Sequence, residues 1–518
     1  MQKQLSIRLL PSEAANDDLI KNAASATLGI SPDHITGFFI LKRSIDARGK
    51  QPWINLTIMV LLDEPYQQRK SFTWQMKDVR HATKSVIIAG AGPAGLFAAL
   101  KLIELNFKPV IFERGKDVRS RRRDLARLNK EGEINPDSNY CFGEGGAGTY
   151  SDGKLYTRSS KRGDINRILG IFKQFGAEER ILYDAHPHIG TNKLPAIITS
   201  MREAIISAGG QLHFESRITE IIHEEKRTGV VTASGDTFFG DAIILATGHS
   251  ARDIFQMLHH QNIPVFFKPF ALGVRIEHPQ ELIDNIQYHQ PQRDPFLPPA
   301  SYSLVQQVED KGVFSFCMCP GGIIAPAATN PNELVVNGWS PSKRNNPHAN
   351  SGMVVTVEEK DVQPFKKYGP LAGMHFQAAV EQKAFIAGGG GFVAPAQRMT
   401  DFIENRISTS LPSCSYVPGI RSAALEEVLP EFIYRALRNA FVAFGKKMKG
   451  YLTNEAVVVA TESRTSSPVR IPRDAHTLAH PQFKNLYPCA EGAGYAGGIV
   501  SAAMDGENVA MKVAENIS

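Results

Sequence analysis

The stretch that most constrains the fold runs from Val86 to Gly95 and reads Val-Ile-Ile-Ala-Gly-Ala-Gly-Pro-Ala-Gly. An apolar strand leads into Gly90-x-Gly92-x-x-Gly95, a helical run follows, and a second strand ends at Glu113. In such a unit the first glycine permits a tight turn, the second lets the backbone approach a pyrophosphate, and the third lets helix and strand pack closely. The pyrophosphate lies at the helix N-terminus, where unpaired N–H groups favour an anion. The pattern therefore predicts a dinucleotide site, with Glu113 accepting hydrogen bonds from ribose hydroxyls.

Composition sets the broad class. A chain of 518 residues is too long for one core and predicts two to four domains. Its net charge of +6 is spread over the whole length, which argues against a nucleic-acid partner. Five cysteines are too few for a disulfide framework and favour a reducing compartment. With no apolar leader and no membrane partner indicated, we expect a soluble, cytoplasmic protein.

Changes in composition and in the pattern of apolar residues along the chain predict four segments. Residues 1–82 read as strand, helix, strand, strand, which indicates a small α+β domain, ferredoxin-like in order. Residues 83–265 form the first part of the nucleotide domain, 266–454 an inserted domain rich in strands and proline, and 455–518 the second part of the nucleotide domain. The basic residues between Lys116 and Lys130 have the spacing of a solvated helix face.

Three later segments separate FAD from NAD(P) as the dinucleotide. The first is a glycine-dense loop from Cys141 to Lys154, whose free N–H groups suit a phosphate or a flat ring. The second is the buried strand that ends in Ala246-Thr-Gly248, and the third is Ala490-Glu-Gly-Ala-Gly-Tyr-Ala-Gly-Gly498. The third contains a second GxGxxG, but too few residues follow it for another complete nucleotide-binding unit. A strand that enters a glycine-capped helix suits a ribityl chain and a flavin edge instead, with the helix N-terminus stabilising charge on the reduced ring.

The predicted cofactor-binding residues come from all of these segments and from one strand residue between them. They are Gly90, Gly92, Pro93, Ala94, Gly95, Glu113, Arg114, Gly146, Ala147, Gly148, Thr149, Ser151, Lys154, Ile218, Ala246, Thr247, Gly248, Glu491, Gly492, Ala493, Gly494, Gly498 and Ile499.

Together these segments resemble flavoproteins of the glutathione-reductase-like superfamily, which have two dinucleotide-binding domains. More narrowly, Gly143 to Lys154, Cys317 to Gly322 and Ala490 to Gly498 resemble a bacterial family of uncharacterised FAD-dependent dehydrogenases with an extra N-terminal domain. The resemblance implies noncovalently bound FAD in a Rossmann-like α/β domain, an inserted substrate domain with a mixed or antiparallel sheet, and no particular substrate. It also implies Glu113 on the adenosine ribose and Gly492 to Ile499 near the flavin.

Two features of better-known relatives are missing from the sequence. No Cys-x4-Cys follows the first GxGxxG, so a disulfide-reductase mechanism of that type is unsupported. No complete second strand–helix–strand unit is evident, so a dedicated NAD(P)H domain is doubtful, although NAD(P)H stays open as one electron donor among others.

Candidate catalytic residues are fewer. Cys317 and Cys319 lie two apart, and in an extended strand they would share a face and could meet a flavin or substrate together; a simple turn at Pro320 is the commoner alternative. Arg464, and Arg344 in the loop from Ser340 to Asn350, are candidates for holding an anionic substrate, although that loop has the composition of ordinary surface. His186 and His188 lack a third ligand, so no metal site is predicted.

These observations predict an FAD-dependent oxidoreductase that passes a hydride or electron pair through its flavin to or from a small-molecule substrate. Two alternatives stay open at this stage. One is a flavoprotein of RNA modification with the N-terminal domain as its nucleic-acid module, and the other is a non-enzymatic FAD-binding sensor or scaffold. The sequence indicates neither the substrate nor the oligomeric state.

Overall fold

The computed structural model describes residues 1–157, 163–224 and 227–517. It is a mixed α/β structure in which a parallel sheet and a larger, mainly antiparallel sheet each support a layer of helices.

The N-terminal unit has the predicted order of strand, helix, strand, strand. Its sheet has the order β1-β3-β2, with both neighbouring pairs antiparallel. The helix starts where Asn16 accepts hydrogen bonds from two backbone N–H groups and ends at Gly29, which has the left-handed conformation of a helix cap. A ferredoxin-like βαββαβ unit has a further helix and strand, and this unit has only the first four elements of that order. The elements are β1 (Gln2–Leu9), α1 (Asp17–Leu28), β2 (Ile35–Asp46) and β3 (Trp53–Leu62).

The next part of the chain supplies the parallel sheet and a small antiparallel sheet. Its elements are β4 (Ser85–Ala89), α2 (Pro93–Glu104), β5 (Lys108–Phe112), α3 (Val118–Glu131), α4 (Ile165–Gln174), α5 (Leu194–Ser207), β6 (Gln211–His213), β7 (Ile218–Glu224), β8 (Arg227–Thr232), β9 (Thr237–Gly240), β10 (Ala242–Leu245) and α6 (Arg252–His260). Strands β7, β8 and β9 form the antiparallel sheet. The sequence predicts one strand over 211–223 and one over 237–245, but each is broken in two, the first at Glu215, where φ is +52°. Each break moves the chain from one sheet to the other.

The third part forms most of the larger sheet. Its elements are β11 (Phe266–Phe267), β12 (Phe270–Pro279), α7 (Gln280–Tyr288), β13 (Val305–Val308), β14 (Lys311–Cys319), β15 (Ile323–Pro326), β16 (Val336–Trp339), β17 (His348–Val357), α8 (Ala372–Gly388), β18 (Ala394–Arg398), α9 (Met399–Glu404), β19 (Ile420–Ser422), α10 (Leu425–Val428) and α11 (Glu431–Lys447). The predicted helical stretch from Ala423 to Lys447 is divided at Pro430, as expected for a residue that cannot continue a helix.

The last part completes both sheets. Its elements are β20 (Val457–Glu462), β21 (Val469–Arg470), β22 (Leu486–Pro488) and α12 (Ile499–Ile517). Strand β20 lies between β12 and β18, so the seven-stranded sheet has the order β13-β14-β17-β12-β20-β18-β19. This sheet therefore includes residues beyond the predicted boundary at residue 454, up to Glu462, while the division into four segments stays a prediction. Strand β22 joins the parallel sheet, whose order is β22-β10-β4-β5-β6.

Helices α2 and α12 lie against each other on one face of the parallel sheet. A Cβ atom on Gly506 of α12 would lie 2.2 Å from the carbonyl oxygen of Ala94 in α2, so only glycine permits this approach. The contact brings the N-termini of both helices to the carboxyl ends of the parallel strands. Among the described residues, no helix is both long and apolar enough to cross a membrane.

Candidate functional site

A cavity of about 250 Å³ lies between the carboxyl ends of β4, β5 and β10 and the edge of the seven-stranded sheet. This position, outside the carboxyl ends of parallel strands, is where open α/β sheets bind their ligands. We call this cavity the cleft. Most of the predicted site residues line it, namely Gly90, Gly92, Pro93, Ala94, Glu113, Arg114, Gly146, Ala147, Gly148, Ser151, Lys154, Ile218, Ala246, Thr247, Gly248, Cys317, Cys319, Arg464, Glu491, Gly498 and Ile499.

The glycines of the first GxGxxG have different surroundings. Gly90 has φ +106°, and a Cβ on it would lie 2.5 Å from the carbonyl oxygen of Ala246. Gly92 precedes the first turn of α2 and lines the cleft. Gly95 does not line the cleft; a Cβ there would lie 2.0 Å from the carbonyl oxygen of Gly90. Its role is the close contact between helix and strand.

Glu113 ends β5 with its carboxylate on the cleft wall. One oxygen accepts a hydrogen bond from the N–H of Ala91 at 2.9 Å, and the other accepts from the N–H groups of Gly115 and Gly143 at 2.9 Å each. The side chain therefore ties the GxGxxG turn to the glycine-dense loop. Its contact with a ribose stays a prediction.

Arg114 follows directly and also lines the cleft. Its guanidinium donates to Asp137 at 2.6 and 3.0 Å and to Asp253 at 2.7 Å, and it lies 4.1 Å from the centre of the Phe142 ring. Its charge is balanced by these two carboxylates, so it forms a fixed wall of the cleft.

The glycine-dense loop is held from behind by Arg121, a residue that the sequence analysis assigned to a solvated face. Arg121 is fully buried and donates to the carbonyl oxygens of Asn139, Tyr140 and Glu144 at 2.8 to 3.0 Å. The Thr149 hydroxyl donates to the carbonyl of Glu144 at 2.7 Å, so Thr149 closes the loop and does not reach the cleft.

Replacing Arg121 by methionine is expected to lower stability by about 3 kcal/mol or more, because three buried carbonyl groups lose a charged donor. We expect the loop to loosen and FAD to be retained less well. Arg123→Met is the matched control, since Arg123 lies exposed on the same helix. Thermal unfolding and the FAD-to-protein ratio after gel filtration measure both effects; equal behaviour of the two variants would contradict the role given to Arg121.

The ends of β10 and β22 meet at the cleft floor. A Cβ on Gly492 would lie 2.7 Å from the carbonyl oxygen of Gly248, so the two turns are in backbone contact. Gly492, Ala493 and Gly494 lie behind this contact and do not line the cleft. The hydroxyl oxygen of Thr247 is buried and has no hydrogen-bond partner among the described residues.

His249, which the sequence analysis missed, joins these two turns. Its Nδ1 lies 3.1 Å from a carboxylate oxygen of Glu491, and its Nε2 lies 3.0 Å from the carbonyl oxygen of Arg464. Burial alone would raise the pKa of Glu491, but the hydrogen bond and charge of His249 outweigh it and lower the pKa. An ionised carboxylate and a carbonyl can only accept, so both ring nitrogens of His249 face hydrogen-bond acceptors. The sequence signal that could have revealed His249 is its position directly after Ala246-Thr-Gly248, a predicted cofactor segment.

Arg464 also lines the cleft, but its charge is already matched. It donates to Glu381 at 3.0 and 3.2 Å, to Glu333 at 3.2 Å and to the hydroxyl of Thr329 at 2.7 Å. Arg252 donates to the same two carboxylates, which makes a buried network of two arginines and two glutamates. The expectation that Arg464 holds an anionic substrate therefore has no support from its geometry.

The loop from Ser340 to Asn350 is also more deeply placed than its composition indicates. Ser340, Ser342 and Asn350 are buried, and Arg344 donates to Asp152 at 2.7 Å, which fastens this loop to the glycine-dense loop. Arg344 therefore does not lie free as an anion receptor. His188 lies 3.2 Å from the carbonyl oxygen of Ser342, and burial, together with the charge of Arg344, lowers its pKa to about 4. Within the described ranges, no group of three His, Cys, Asp or Glu side chains is placed to hold a metal ion.

The thiols of Cys317 and Cys319 both reach the cleft from β14, but not by strand alternation. The pairing of β14 with β17 shifts between Phe316 and Cys319, and Cys317 has φ +45°. Such a bulge re-aims a side chain. Cys317 is exposed to the cleft, while Cys319 is buried in its wall.

The residues of the cleft fit a flavin dinucleotide in two respects. Glycines 248, 497 and 498 line it, and a Cβ on any of them would meet no protein atom within 4 Å, so their missing side chains leave room for a ligand. Thr247 and Asp152 also line the cleft, and each has a buried side-chain oxygen without a hydrogen-bond partner among the described residues, as expected where a ligand supplies one.

Known proteins share these features. Residues 269–465 match a family profile described as the C-terminal domain-like part of FAD-dependent proteins, and residues 188–320 match the FAD-dependent oxidoreductase profile. Residues 1–61 match a domain of unknown function. FAD is accordingly the cofactor of this chain.

Among solved structures, the halogenase PltM is 11% identical with a TM-score of 0.37, over 84% of this chain and 69% of its own. CtdE, crystallised with FAD and a substrate, is 12% identical with a TM-score of 0.32, over 84% of each chain. An uncharacterised protein of Clostridium beijerinckii is 40% identical over 522 aligned positions, which cover 97% of this chain and 96% of that protein. The chain therefore belongs to the same family as this Clostridium protein, and its matched profiles make that family one of FAD-dependent proteins.

Proposed function

We propose that the protein is an oxidoreductase that binds FAD noncovalently in the cleft and exchanges a hydride or electron pair with a small-molecule substrate. The proposal rests on one observation. Four segments that are far apart in the sequence, each predicted to contact FAD, line the same cavity: the GxGxxG turn, the glycine-dense loop, the turn after β10 and the turn after β22. The seven-stranded sheet supplies the facing wall, from which a substrate would approach. We propose in addition that the domains are arranged as in glutathione-reductase-like flavoproteins, and that the seven-stranded sheet forms the substrate domain.

When bound, the flavin supplies a two-electron acceptor and donor. The protein supplies its position and surroundings. The N-terminus of α2, with Gly92 and Pro93, would hold the pyrophosphate, and the N-terminus of α12, with Gly498 and Ile499, would stabilise negative charge on the flavin. His249, held by Glu491, places an imidazole ring beside the same turns.

The variant Gly497→Leu tests where FAD lies. A Cβ at Gly497 meets no protein atom within 4 Å, so the leucine enters the cleft without disturbing the fold. We expect FAD affinity to fall at least about tenfold while the far-ultraviolet circular dichroism stays unchanged. Gly49→Leu is the control, because its Cβ is equally free and lies in the loop between β2 and β3. Full retention of FAD by Gly497→Leu would contradict this placement.

The reaction is tested by anaerobic absorbance with NADH, NADPH and a panel of metabolites. Bleaching of the flavin by a nicotinamide identifies a reductase, and bleaching by a metabolite alone identifies a dehydrogenase. Bleaching by neither would favour a non-enzymatic sensor. Purified protein that holds no flavin, even after refolding with FAD, would overturn the proposal.

A further inference from the structure

The two cysteines of the Cys317-Met-Cys319 segment lie in a strained turn on the cleft wall. A residue other than glycine with left-handed φ is strained, and the strain persists where the surroundings impose it, often at functional sites. Cys317 has φ +45°, and the ladder between β14 and β17 is interrupted there.

Charged side chains hold this turn in place. Arg275, which is fully buried, donates to the carbonyl of Cys317 at 2.7 Å, and the Lys154 ammonium donates to the carbonyl of Met318. The thiol of Cys319 donates to the carbonyl of Cys317 at 3.2 Å. Two cationic side chains, those of Arg275 and Lys154, thus hold the backbone at Cys317 and Met318 in place.

The same cations lie beside one of the two sulfur atoms. The Cys319 sulfur is 3.5 Å from Nη2 of Arg275 and 3.9 Å from Nζ of Lys154. Of these two, Arg275 is paired with Glu462 at 2.6 Å, while Lys154 lies 3.9 Å from Asp152. Positive groups at these distances stabilise negative charge that develops on a sulfur atom.

Cys317 differs from its neighbour. It opens into the cleft, but the cleft is deep, and this burial raises the pKa of its thiol to about 11 despite the opposing charge of Lys154. The pair therefore combines a sulfur with cationic neighbours and a protonated thiol that faces the cleft.

Chain geometry allows the two sulfurs to join. Residues two apart in a fully extended strand have Cα atoms roughly 6.6–6.8 Å apart, the upper end of the disulfide range. Cys317 and Met318 lie at the register shift and have no partner in the ladder with β17, so joining the two sulfur atoms need not break a ladder pair.

We propose that Cys317 and Cys319 form a dithiol–disulfide couple that exchanges an electron pair with the FAD in the same cleft. On oxidation two S–H bonds break and one S–S bond forms, and the two electrons and protons released reduce the flavin. In the opposite direction the reduced flavin breaks the S–S bond. The couple goes beyond the proposed function by giving the protein a second two-electron store. It rests on the placement of FAD in the cleft.

Two measurements on the holoenzyme test the couple. After air equilibration and denaturation, a thiol assay is expected to detect two thiols fewer than the five cysteines of the chain. Anaerobic titration with dithionite is expected to consume about four electrons per FAD, where a flavin alone takes about two.

Cys317→Ser and Cys319→Ser should each take only about two electrons per FAD and show all of their remaining thiols. Cys414→Ser is the matched control, because Cys414 is also a free cysteine but does not line the cleft; it should keep the four-electron behaviour. Five free thiols in the air-equilibrated wild-type protein, or two electrons per FAD, would overturn the couple. A protein without flavin would instead overturn the cofactor placement, and the thiol count would still decide whether the pair oxidises.

Discussion

Replacing Glu381 by glutamine is expected to lower the free energy of unfolding by about 3–5 kcal/mol, because it leaves buried arginines without their counter-charge. Glu381 is fully buried and accepts from Arg252 at 2.8 Å and from Arg464 at 3.0 and 3.2 Å. The neutral amide keeps the shape of the side chain but not its charge. Glu333 then remains as the one carboxylate for both guanidinium groups in this network.

The comparison variant is Glu309→Gln, which removes a carboxylate from an exposed pair with Arg435 at 2.9 Å. Exposed pairs contribute about 0–1 kcal/mol, so this variant should unfold nearly as the wild type does. Urea unfolding followed by circular dichroism gives both values. Equal midpoints for the two variants would show that the buried network contributes little.

The difference in stability between the wild type and Glu381→Gln should decrease at low pH. Burial raises the pKa of Glu381, but the charges of Arg252 and Arg464 outweigh it and hold the pKa at about 2, below its ordinary value of 4.5. A depressed carboxyl pKa stabilises the folded state above the unfolded-state value, and the contribution is lost as pH falls through the folded value. The stability gap between wild type and Glu381→Gln should therefore be full above pH 4.5 and shrink between about pH 4.5 and 2.

Replacing Gly95 by alanine is the second change with a large expected effect. The added Cβ would lie 2.0 Å from the carbonyl oxygen of Gly90, and neither backbone can give way without moving α2. Overpacking of this kind costs about 1–3 kcal/mol. Because the displaced helix carries Gly92 and Pro93 to the cleft, FAD affinity should fall about tenfold or more.

Gly49→Ala is the control, since its Cβ meets no atom within 4 Å. The melting temperature and the FAD retained after gel filtration are the two readouts. If Gly95→Ala keeps FAD as well as Gly49→Ala does, the contact between Gly90 and Gly95 does not position the site.

The local parts of this fold were predictable from sequence, and the distant pairings were not. The GxGxxG turn and the helix from Asp17 to Leu28 depend on neighbouring residues, whose spacing carries the signal. The break at Glu215 leaves the strand-like pattern of 211–223 uninterrupted, so the pattern could not reveal it. The place of β20 depends on its pairing with β12, far away in the chain.

The candidate site likewise has local features that the sequence predicts and distant contacts that it does not. The site glycines and the turns after β10 and β22 were recognisable from sequence, because a close approach between two backbone segments, or between backbone and ligand, requires glycine at particular positions. Arg121 was missed although it shares a helix face with Val118 and Leu125, a spacing that could have revealed its burial. The partners of Arg464 could not be found, because Glu381 and Glu333 come from remote elements.

The joining of β22 and α12 to the parallel sheet has a consequence for biosynthesis. The strand β4 and the GxGxxG turn leave the ribosome early, whereas the segments that pair with β10 and cover α2 are translated last. Until they arrive, β10 presents an open edge and α2 an uncovered apolar face, both of which invite misassembly in a nascent chain. The cofactor cavity does not exist before that moment. We therefore expect FAD to bind tightly only after β22 and α12 have joined the parallel sheet.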